Sequence, residues 1–221
     1  YHKTLGGYHA AKLTRYQDLI DVHLGHFPSG TADSVDVEVA SMLNARYVAM
    51  DENTAVPNPE AYGNAWLVDK VEYVADPDNE MAALSYIDLR NQAVADAKFS
   101  EILGVSQPKT PGDTIFETSY APNRLTYHAR TAKGGVAVFS EVYFPWGWQV
   151  TVDGQPATLG RVNYVLRALR LPAGDHTIVM TFDPPSLYTT VTLAYIAVIL
   201  IYAALITAIA IAFVRRDKKK D

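Results

Sequence analysis

The stretch Leu187–Val214, LYTTVTLAYIAVILIYAALITAIAIAFV, contains 28 residues without a charge or a proline. At about 1.5 Å per residue, a helix of this length is about 42 Å long, enough to cross a bilayer with some tilt. The alternative is a buried helix of a soluble protein, but a core helix of this length normally shows a polar face. The stretch therefore predicts a transmembrane helix, which we place at residues 186–214.

A basic tail follows the predicted span at residues 215–221. Positive residues next to a span mark its cytoplasmic end, so the C-terminus is predicted inside and everything before Ser186 outside the cytoplasm. This orientation predicts the bacterial inner membrane as the location, with the lipid bilayer as a partner. The residues predicted to anchor the chain in the membrane are Tyr188, Arg215, Arg216 and Lys218.

An outside domain before a C-terminal span requires an export signal upstream. The chain begins YHKTLGGYHAAK, which has no apolar core and no cleavage site typical of a signal peptide. We therefore expect this sequence to be the C-terminal piece of a longer membrane protein. Ala204, Ala208 and Ala212 recur every four residues and favour packing against neighbouring helices of the same parent chain. A lone anchor is the alternative.

Composition limits the remaining possibilities. Without the tail, the chain carries 14 basic and 22 acidic residues, and this acidic balance argues against a nucleic-acid partner. The sequence contains no cysteine, which excludes disulfides, thiolate catalysis and cysteine metal sites.

The first part, residues 1–108, has the mixed pattern of an α+β extracytoplasmic subdomain. Apolar residues at helical spacing predict an amphipathic helix from Tyr8 to Leu24 and a shorter helix over Asp36–Asn44. Asp76 is a predicted N-cap, with Pro77 at the first helical position. Strands are predicted at Arg46–Met50, Ala65–Val74 and Ala93–Asp96.

The second part, residues 109–185, changes to a period of two. Trp148, Val150 and Val152 alternate with polar residues before a hairpin turn at Asp153-Gly154. Further strands are predicted at 164–171 and 176–182, with a turn between them. Six or seven short strands separated by turns predict an antiparallel β-sandwich. The predicted fold class is thus an α+β extracytoplasmic region, with a small α/β N-terminal part and a sandwich, followed by one transmembrane helix.

Aromatic and polar groups supply the candidate binding residues. Trp148 is in phase with the core, whereas Trp146 is a candidate for stacking on a sugar or resting at a membrane interface. Arg161, Asn163, Tyr164 and Arg167 can bind an anionic headgroup, or else form a solvated face. The candidate contacts for an acceptor or headgroup are Tyr8, His9, Lys12, Trp146, Asn163 and Arg167.

No catalytic, cofactor-binding or metal-ligating residue is nominated. The spacing of His23 and His26 suits a metal on one helical turn, but Gly25 lies between them and no acidic third ligand is evident in the sequence. Motifs for phosphate-binding loops, dinucleotide-binding folds and hydrolase nucleophiles do not occur.

A series of motifs resembles a known family. These are YHKTLGGYHAAKLTRYQDLID (1–21), SMLNARYVAM (41–50), NPEAYGNAWLVDKVEYV (58–74), TSYAPNRLTYHARTAKGGVAVFSEVYFPWGWQVTVDG (118–154) and RVNYVLRALRLPAGDHTIVMTFDP (161–184). In order and ending in a span, they resemble the C-terminal region of the bacterial YfhO family of multi-span membrane proteins.

The resemblance implies a parent with a GT-C-like glycosyltransferase fold. In that class, a lipid-phosphate-linked sugar is the donor for transfer at the outer face of the membrane, and some relatives are linked to glycosylation of cell-envelope polymers. The catalytic acids of GT-C enzymes lie in an early outer loop that has no counterpart here, so this fragment is expected to be non-catalytic by itself. A glycan or lipid-linked acceptor is the implied partner.

Two other functions fit the same sequence. The chain can be a membrane-anchored module that binds a glycan or a partner without catalysis, or a structural brace for the spans. Binding of a glycan would favour the module, whereas tolerance of surface substitutions would favour the brace.

Overall fold

The structure of the chain is a computed structural model that describes residues 4–6, 12–51 and 53–217, with side chains described up to Ala212 in the last helix. The described α-helices are α1 (Thr14–Leu19), α2 (His26–Ser29), α3 (Ser34–Met42), α4 (Pro77–Ala83), α5 (Ser100–Leu103) and α6 (Pro185–Asp217). A π-helix (Ile20–Leu24) continues α1, and a 3-10 helix (Ala97–Phe99) precedes α5.

The described strands fall in two groups along the chain. Those of the first group are β1 (Tyr47–Ala49), β2 (Ala55–Pro57), β3 (Ala65–Val68), β4 (Lys70–Val74) and β5 (Gln92–Asp96). Those of the second group are β6 (Thr114–Ala121), β7 (Arg124–Thr131), β8 (Gly135–Val142), β9 (Trp148–Val152), β10 (Gln155–Ala157), β11 (Gly160–Val162), β12 (Leu166–Leu171) and β13 (Gly174–Phe182).

Two antiparallel sheets form the sandwich. Sheet I has the strand order β10-β9-β13-β7-β6, and sheet II has the order β11-β12-β8-β3. The core between them contains Tyr127 and Ile178 from sheet I and Phe139 and Leu169 from sheet II. The rings of Tyr127 and Phe139 meet edge to face with centroids 4.8 Å apart. The predicted fold class, an α+β region with an antiparallel sandwich and one C-terminal apolar helix, is confirmed.

Sheet II is buried on both faces. In β8, Ala137 and Phe139 point towards sheet I, whereas Val136 and Val138 point into a second core. Strands covered on both faces have continuous apolar runs, which explains the unbroken sequence GVAVF at the start of β8. The second core holds residues from α3, α4 and β5, so the N-terminal part and sheet II share one hydrophobic core.

The prediction of one strand over Ala65–Val74 is wrong. The chain turns at Asp69, whose N–H donates to the Asn91 carbonyl at 2.7 Å and whose carboxylate accepts the Lys109 N–H at 2.6 Å. β3 therefore joins sheet II, while β4 pairs in parallel with β5. The division of the chain at residue 108 stays a prediction, and β3 contributes to the sandwich from the N-terminal side of that position.

The predicted helices are present, with bounds that differ from the predicted ones. Asp76 caps α4 by accepting the Asn79 N–H at 2.8 Å, with Pro77 at the start of the helix, as predicted. The helix predicted over Asp36–Asn44 is α3. The helix predicted from Tyr8 is described from Thr14 onwards, since residues 7–11 lie outside the described part.

The last helix leaves the sandwich almost without a linker. β13 ends at Phe182 and α6 begins at Pro185. Residues Pro185–Ala212 are long and apolar enough to cross a membrane, and in this chain none of the most apolar window is buried. The sandwich is therefore attached directly to the base of an exposed apolar helix.

Candidate functional site

The strand registers define two ends of the sandwich. Phe182, at the base of α6, pairs with Trp148, and its neighbour Thr181 pairs with Arg124. In sheet II, Leu166 pairs with Val142. We call this the span end; it comprises the turn at 122–123, the loop at 143–147 and the turn at 163–165. The opposite, far end contains the turns at 132–134, 153–154 and 172–173.

An aromatic loop, Tyr143–Gly147, occupies the span end. Trp146 is 68% exposed, and its ring meets that of Phe144 edge to face with centroids 5.2 Å apart. The Gly147 carbonyl accepts the N–H of Asp183 at 2.7 Å. The aromatic loop is thus hydrogen-bonded to the short connection between β13 and α6.

Gly147 is required for this close approach. Its φ of +88° lies in the region that favours glycine, and an added Cβ would lie 2.8 Å from both a Phe182 ring carbon and Pro184 Cβ. Any larger residue at this position would push the aromatic loop away from the base of α6. The loop therefore has a fixed position relative to the start of the helix.

A groove of about 230 Å³ opens beside the aromatic loop, between it and α1. Aromatic and aliphatic side chains make up most of its wall, with two guanidinium groups among them. The lining residues are Leu13, Thr14, Arg15, Tyr16, Val142, Tyr143, Pro145, Trp146, Arg161, Tyr164 and Val165.

A buried carboxylate fixes the floor of the groove. Glu80 is fully buried, and its Oε2 accepts hydrogen bonds from Arg15 Nη1 at 2.9 Å and Arg161 Nη2 at 3.0 Å. Its Oε1 accepts the N–H of Tyr164 at 3.1 Å. These contacts join α1, α4 and the turn after β11, which are far apart in the sequence. Glu80 therefore positions both arginines and the tyrosine of the groove.

The turn that carries Tyr164 is strained. Asn163 has φ +48° and Tyr164 has φ +68°, a conformation that costs of order 1 kcal/mol or more for each non-glycine residue. Asn163 is fully buried and exchanges hydrogen bonds with Val94 through its N–H at 2.7 Å and its side-chain carbonyl at 3.0 Å. Because of this turn, β12 begins at Leu166 rather than at the predicted residue 164.

Tyr164 combines an aromatic face with a polar tip. The Arg15 guanidinium lies 4.4 Å from the centroid of the Tyr164 ring, and the Tyr164 hydroxyl donates to Asp18 at 2.9 Å. Burial and the Asp18 carboxylate raise the pKa of this hydroxyl, so it stays a donor at neutral pH. Since both arginines of the groove are paired with Glu80, the groove suits a neutral polar ligand with stacking faces better than a polyanion.

A larger cavity of about 400 Å³ lies on the other side of the aromatic loop, against β9 and β10. Behind it, Arg167 stacks on Trp148, with its guanidinium carbon 3.9 Å from the ring, and its Nε donates to the Val142 carbonyl at 3.1 Å. Burial lowers the pKa of Arg167, which is 3% exposed. The solvated face expected for Arg161, Asn163, Tyr164 and Arg167 is wrong, because the second core and the ring of Trp148 cover them.

The structure separates the predicted contact residues. Trp146 lines the groove and is exposed, and Lys12 is exposed just before α1, while the contact of either residue with an acceptor stays a prediction. Asn163 and Arg167 support the span end from inside the protein, so their contact with an acceptor stays a prediction. Tyr8 and His9 lie outside the described residues.

The predicted membrane anchors are described only in part. Tyr188 is 61% exposed in the first turns of α6, and its hydroxyl donates to the Asp183 carboxylate at 2.8 Å. Arg215 and Arg216 lie in the helical backbone, beyond the last described side chain, and Lys218 lies outside the described residues.

Three residues that build the groove were not found from the sequence. Arg15 lines the groove, and Asp18 and Glu80 accept hydrogen bonds from its lining residues. No local spacing connects Glu80 with Arg161, which is 81 residues away in the chain. A charged residue in a first helical turn is common at the surface, so its burial gave no sequence signal.

The acidic neighbour of His23 and His26 is Asp36. Its two carboxylate oxygens lie 2.9 Å and 2.8 Å from their respective Nδ1 atoms. Burial acts to raise the pKa of Asp36, but the Asp33 N–H and both imidazoles outweigh it and hold that pKa below its usual value. Within the described part of the chain, no group of three or more His, Cys, Asp or Glu side chains can hold a metal ion.

Comparison with known proteins gives one match. Residues 113–194 match the family model described as bacterial membrane protein YfhO. No curated protein and no solved structure matches the chain. The matched residues cover most of the sandwich, the aromatic loop and the first turns of α6. Over residues 113–194, the chain is therefore similar to the YfhO family of bacterial membrane proteins.

Proposed function

We propose that this chain is the extracytoplasmic domain and last span of a GT-C-type membrane glycosyltransferase, which uses a lipid-linked sugar for glycosylation of the cell envelope. In this proposal the chain is not catalytic by itself. Its groove receives the acceptor, a glycan or a lipid headgroup, at the outer face of the inner membrane. The family match and the apolar helix support a membrane protein, and the chemistry of the groove supports the acceptor role.

The position of the groove carries this proposal. Trp146 and Tyr143 lie in a loop that is hydrogen-bonded to Asp183, two residues before the apolar helix begins. A ligand in the groove is therefore held next to the place where the chain enters the membrane. A transferase that draws its donor from the lipid phase needs its acceptor at that level.

The groove also has the chemistry of a sugar site. Aromatic faces stack on the C–H faces of sugar rings, while hydroxyl and guanidinium groups bond to their hydroxyls. Trp146, Tyr143 and Tyr164 supply the rings, and Arg15 and Thr14 supply polar groups beside them. This set of side chains supports binding and orientation of an acceptor.

Filling the groove tests the proposal. In the intact membrane protein, Thr14→Trp is expected to abolish most transfer from a polyprenyl-phosphate-linked sugar to the envelope fraction, because the added ring occupies the groove. Trp146→Ala is expected to raise the acceptor KM about tenfold, the effect of losing one stacking contact of about 1.4 kcal/mol. Transfer of labelled sugar in membranes measures both.

Two controls accompany these variants. Thr14→Ser keeps the volume of the groove, and Phe116→Ala removes a ring that is 52% exposed on sheet I and does not line the groove. Both are expected to transfer sugar like the unmodified protein. Full transfer by Thr14→Trp and Trp146→Ala would overturn the acceptor role.

A structural brace is the second candidate function. The two-residue connection from β13 to α6 and the bond between Asp183 and Gly147 favour it, because they couple the sandwich rigidly to the helix. A brace predicts normal transfer by both groove variants and loss of the protein when the sandwich core is broken. A binding module without catalysis predicts glycan binding but no transfer.

A further inference from the structure

We infer that the aromatic loop is a second membrane contact of the domain, with Trp146 seated in the headgroup region of the leaflet that α6 enters. The occupant of this surface is the phospholipid bilayer itself. The inference goes beyond the proposed function, since it requires neither glycosyl transfer nor a bound acceptor. Two observations support the inference. The aromatic loop is held beside the start of α6, and its side chains have the chemistry of the headgroup region.

The level of the loop is set by its contacts with the base of α6. Gly147 accepts the Asp183 N–H at 2.7 Å and packs against Pro184. Consecutive Cα atoms are about 3.8 Å apart, so the backbone of Trp146 lies within one residue of this contact. The loop thus lies beside the start of Pro185–Ala212, the segment able to cross a membrane.

The charges around the helix base locate the water boundary. A carboxylate is costly in the hydrocarbon core, so Asp183 lies on the water side, whereas the stretch from Leu187 onwards is uncharged and mostly apolar. Tyr188 bridges the two zones, because its ring lies on the helix and its hydroxyl reaches back to Asp183 at 2.8 Å. The boundary therefore crosses the chain between Asp183 and Tyr188, at the level of the aromatic loop.

The chemistry of the loop matches this boundary. Phe144, Pro145 and Trp146 are three consecutive residues without charge, and the indole of Trp146 is 68% exposed. Tryptophan is enriched at membrane–water interfaces because its ring is apolar at one side and a donor at the other. Moving this exposed indole into the headgroup region removes apolar surface from water and is therefore favourable.

A neighbouring turn adds to the same surface. The Asn123 carbonyl accepts the Phe182 N–H at 2.8 Å, which brings the turn at 122–123 to the helix base. Arg124, which follows it, is exposed and suits the phosphates of anionic lipids. With α6 and the aromatic loop, this turn gives the domain contacts on more than one side of the span and fixes its tilt on the bilayer.

Tryptophan fluorescence tests the inference in vesicles. The full chain and its Trp146→Phe variant are reconstituted into phosphatidylcholine–phosphatidylglycerol vesicles, and the difference between their spectra isolates the Trp146 emission. We expect this emission to be blue-shifted and to be quenched when a phosphatidylcholine brominated near its headgroup replaces the ordinary lipid. Acrylamide in the water should quench it weakly.

The control is a tryptophan at the far end. Lys133→Trp is introduced into the Trp146→Phe background; Lys133 is exposed and lies in the turn between β7 and β8, opposite the span end. Its difference emission is expected to be red-shifted, insensitive to the brominated lipid and strongly quenched by acrylamide. Circular dichroism confirms that both variants are folded before the comparison.

Two results would overturn the inference. One is a Trp146 emission that brominated lipid leaves unchanged and acrylamide quenches as strongly as that of the Lys133→Trp control. The other is equal quenching of both positions by the lipid, which would show that the whole domain lies on the membrane. Neither result depends on transfer activity, so the proposed function is tested separately.

Discussion

Replacing Glu80 with alanine is expected to lower the free energy of unfolding by about 3–5 kcal/mol, because it leaves the buried Arg161 guanidinium without its main carboxylate partner. Glu80 is fully buried, and Arg161 has a side chain only 9% exposed. In the variant, the Arg161 guanidinium would remain inside the protein. Its nearest acid would then be the Asp96 carboxylate, at 3.9 Å. The strained Tyr164 would also lose the acceptor of its N–H.

Urea unfolding of the full chain in detergent, followed by circular dichroism, measures this loss. Glu101→Ala is the matched control, because Glu101 is an exposed glutamate in a short helix, and its replacement is expected to change stability by about 0.5 kcal/mol or less. Glu80→Gln should be intermediate, since the amide keeps an acceptor but not the charge. Equal stability of Glu80→Ala and Glu101→Ala would show that the ion cluster does not hold the groove together.

Replacing Phe139 with alanine is also expected to have a large effect, lowering the free energy of unfolding by about 3–5 kcal/mol. Phe139 is fully buried between the two sheets, where its ring meets that of Tyr127. Removing the ring leaves a cavity that β-strands of both sheets cannot close without shifting their registers. Because a domain is stable by only about 5–15 kcal/mol, this variant should unfold in mild denaturant.

Phe116→Ala controls for the loss of an aromatic ring in the same sandwich. Phe116 is 52% exposed on the outer face of sheet I, so its replacement should cost about 0.5 kcal/mol. The same urea titration compares the two variants. If Phe139→Ala unfolds at the same urea concentration as Phe116→Ala, the contact between the sheets does not stabilise the sandwich.

Local patterns predicted the elements whose own sequence determines them. The period-two pattern from residue 114 gave the sandwich strands, and Asp153-Gly154 gave the hairpin between β9 and β10. Asp76 followed by Pro77 predicted the start of α4, because capping depends on adjacent residues. The apolar stretch after Ser186 predicted the last helix, because only length and composition were needed.

Such local patterns could not predict contacts between residues that are far apart in the sequence. The split of Ala65–Val74 depends on Asn91 and Lys109, which bond to Asp69 from distant loops. The burial of Arg161 depends on Glu80, and no single-sequence period encodes an ion pair across 81 residues. The left-handed turn at 163–164 depends on hydrogen bonds to Val94 and Glu80, so the strand was predicted to start two residues too early.

The candidate site shows the same division. Trp146 was named as a candidate binding residue because it lies in the aromatic run before β9, and its side chain is 68% exposed in the structure. The groove itself needs α1, which comes to the aromatic loop through the Arg15–Glu80 contact. The groove could therefore be recognised only in the three-dimensional structure.

The most direct test of a role at the outer face is to determine on which side of the membrane the sandwich lies. The sequence has no cysteine, so Lys133→Cys at the far end and Lys219→Cys in the tail each provide one thiol in this chain. A membrane-impermeant maleimide should label Lys133→Cys on intact spheroplasts, and Lys219→Cys only after permeabilisation. The reverse pattern would place the sandwich in the cytoplasm and contradict a role at the outer face.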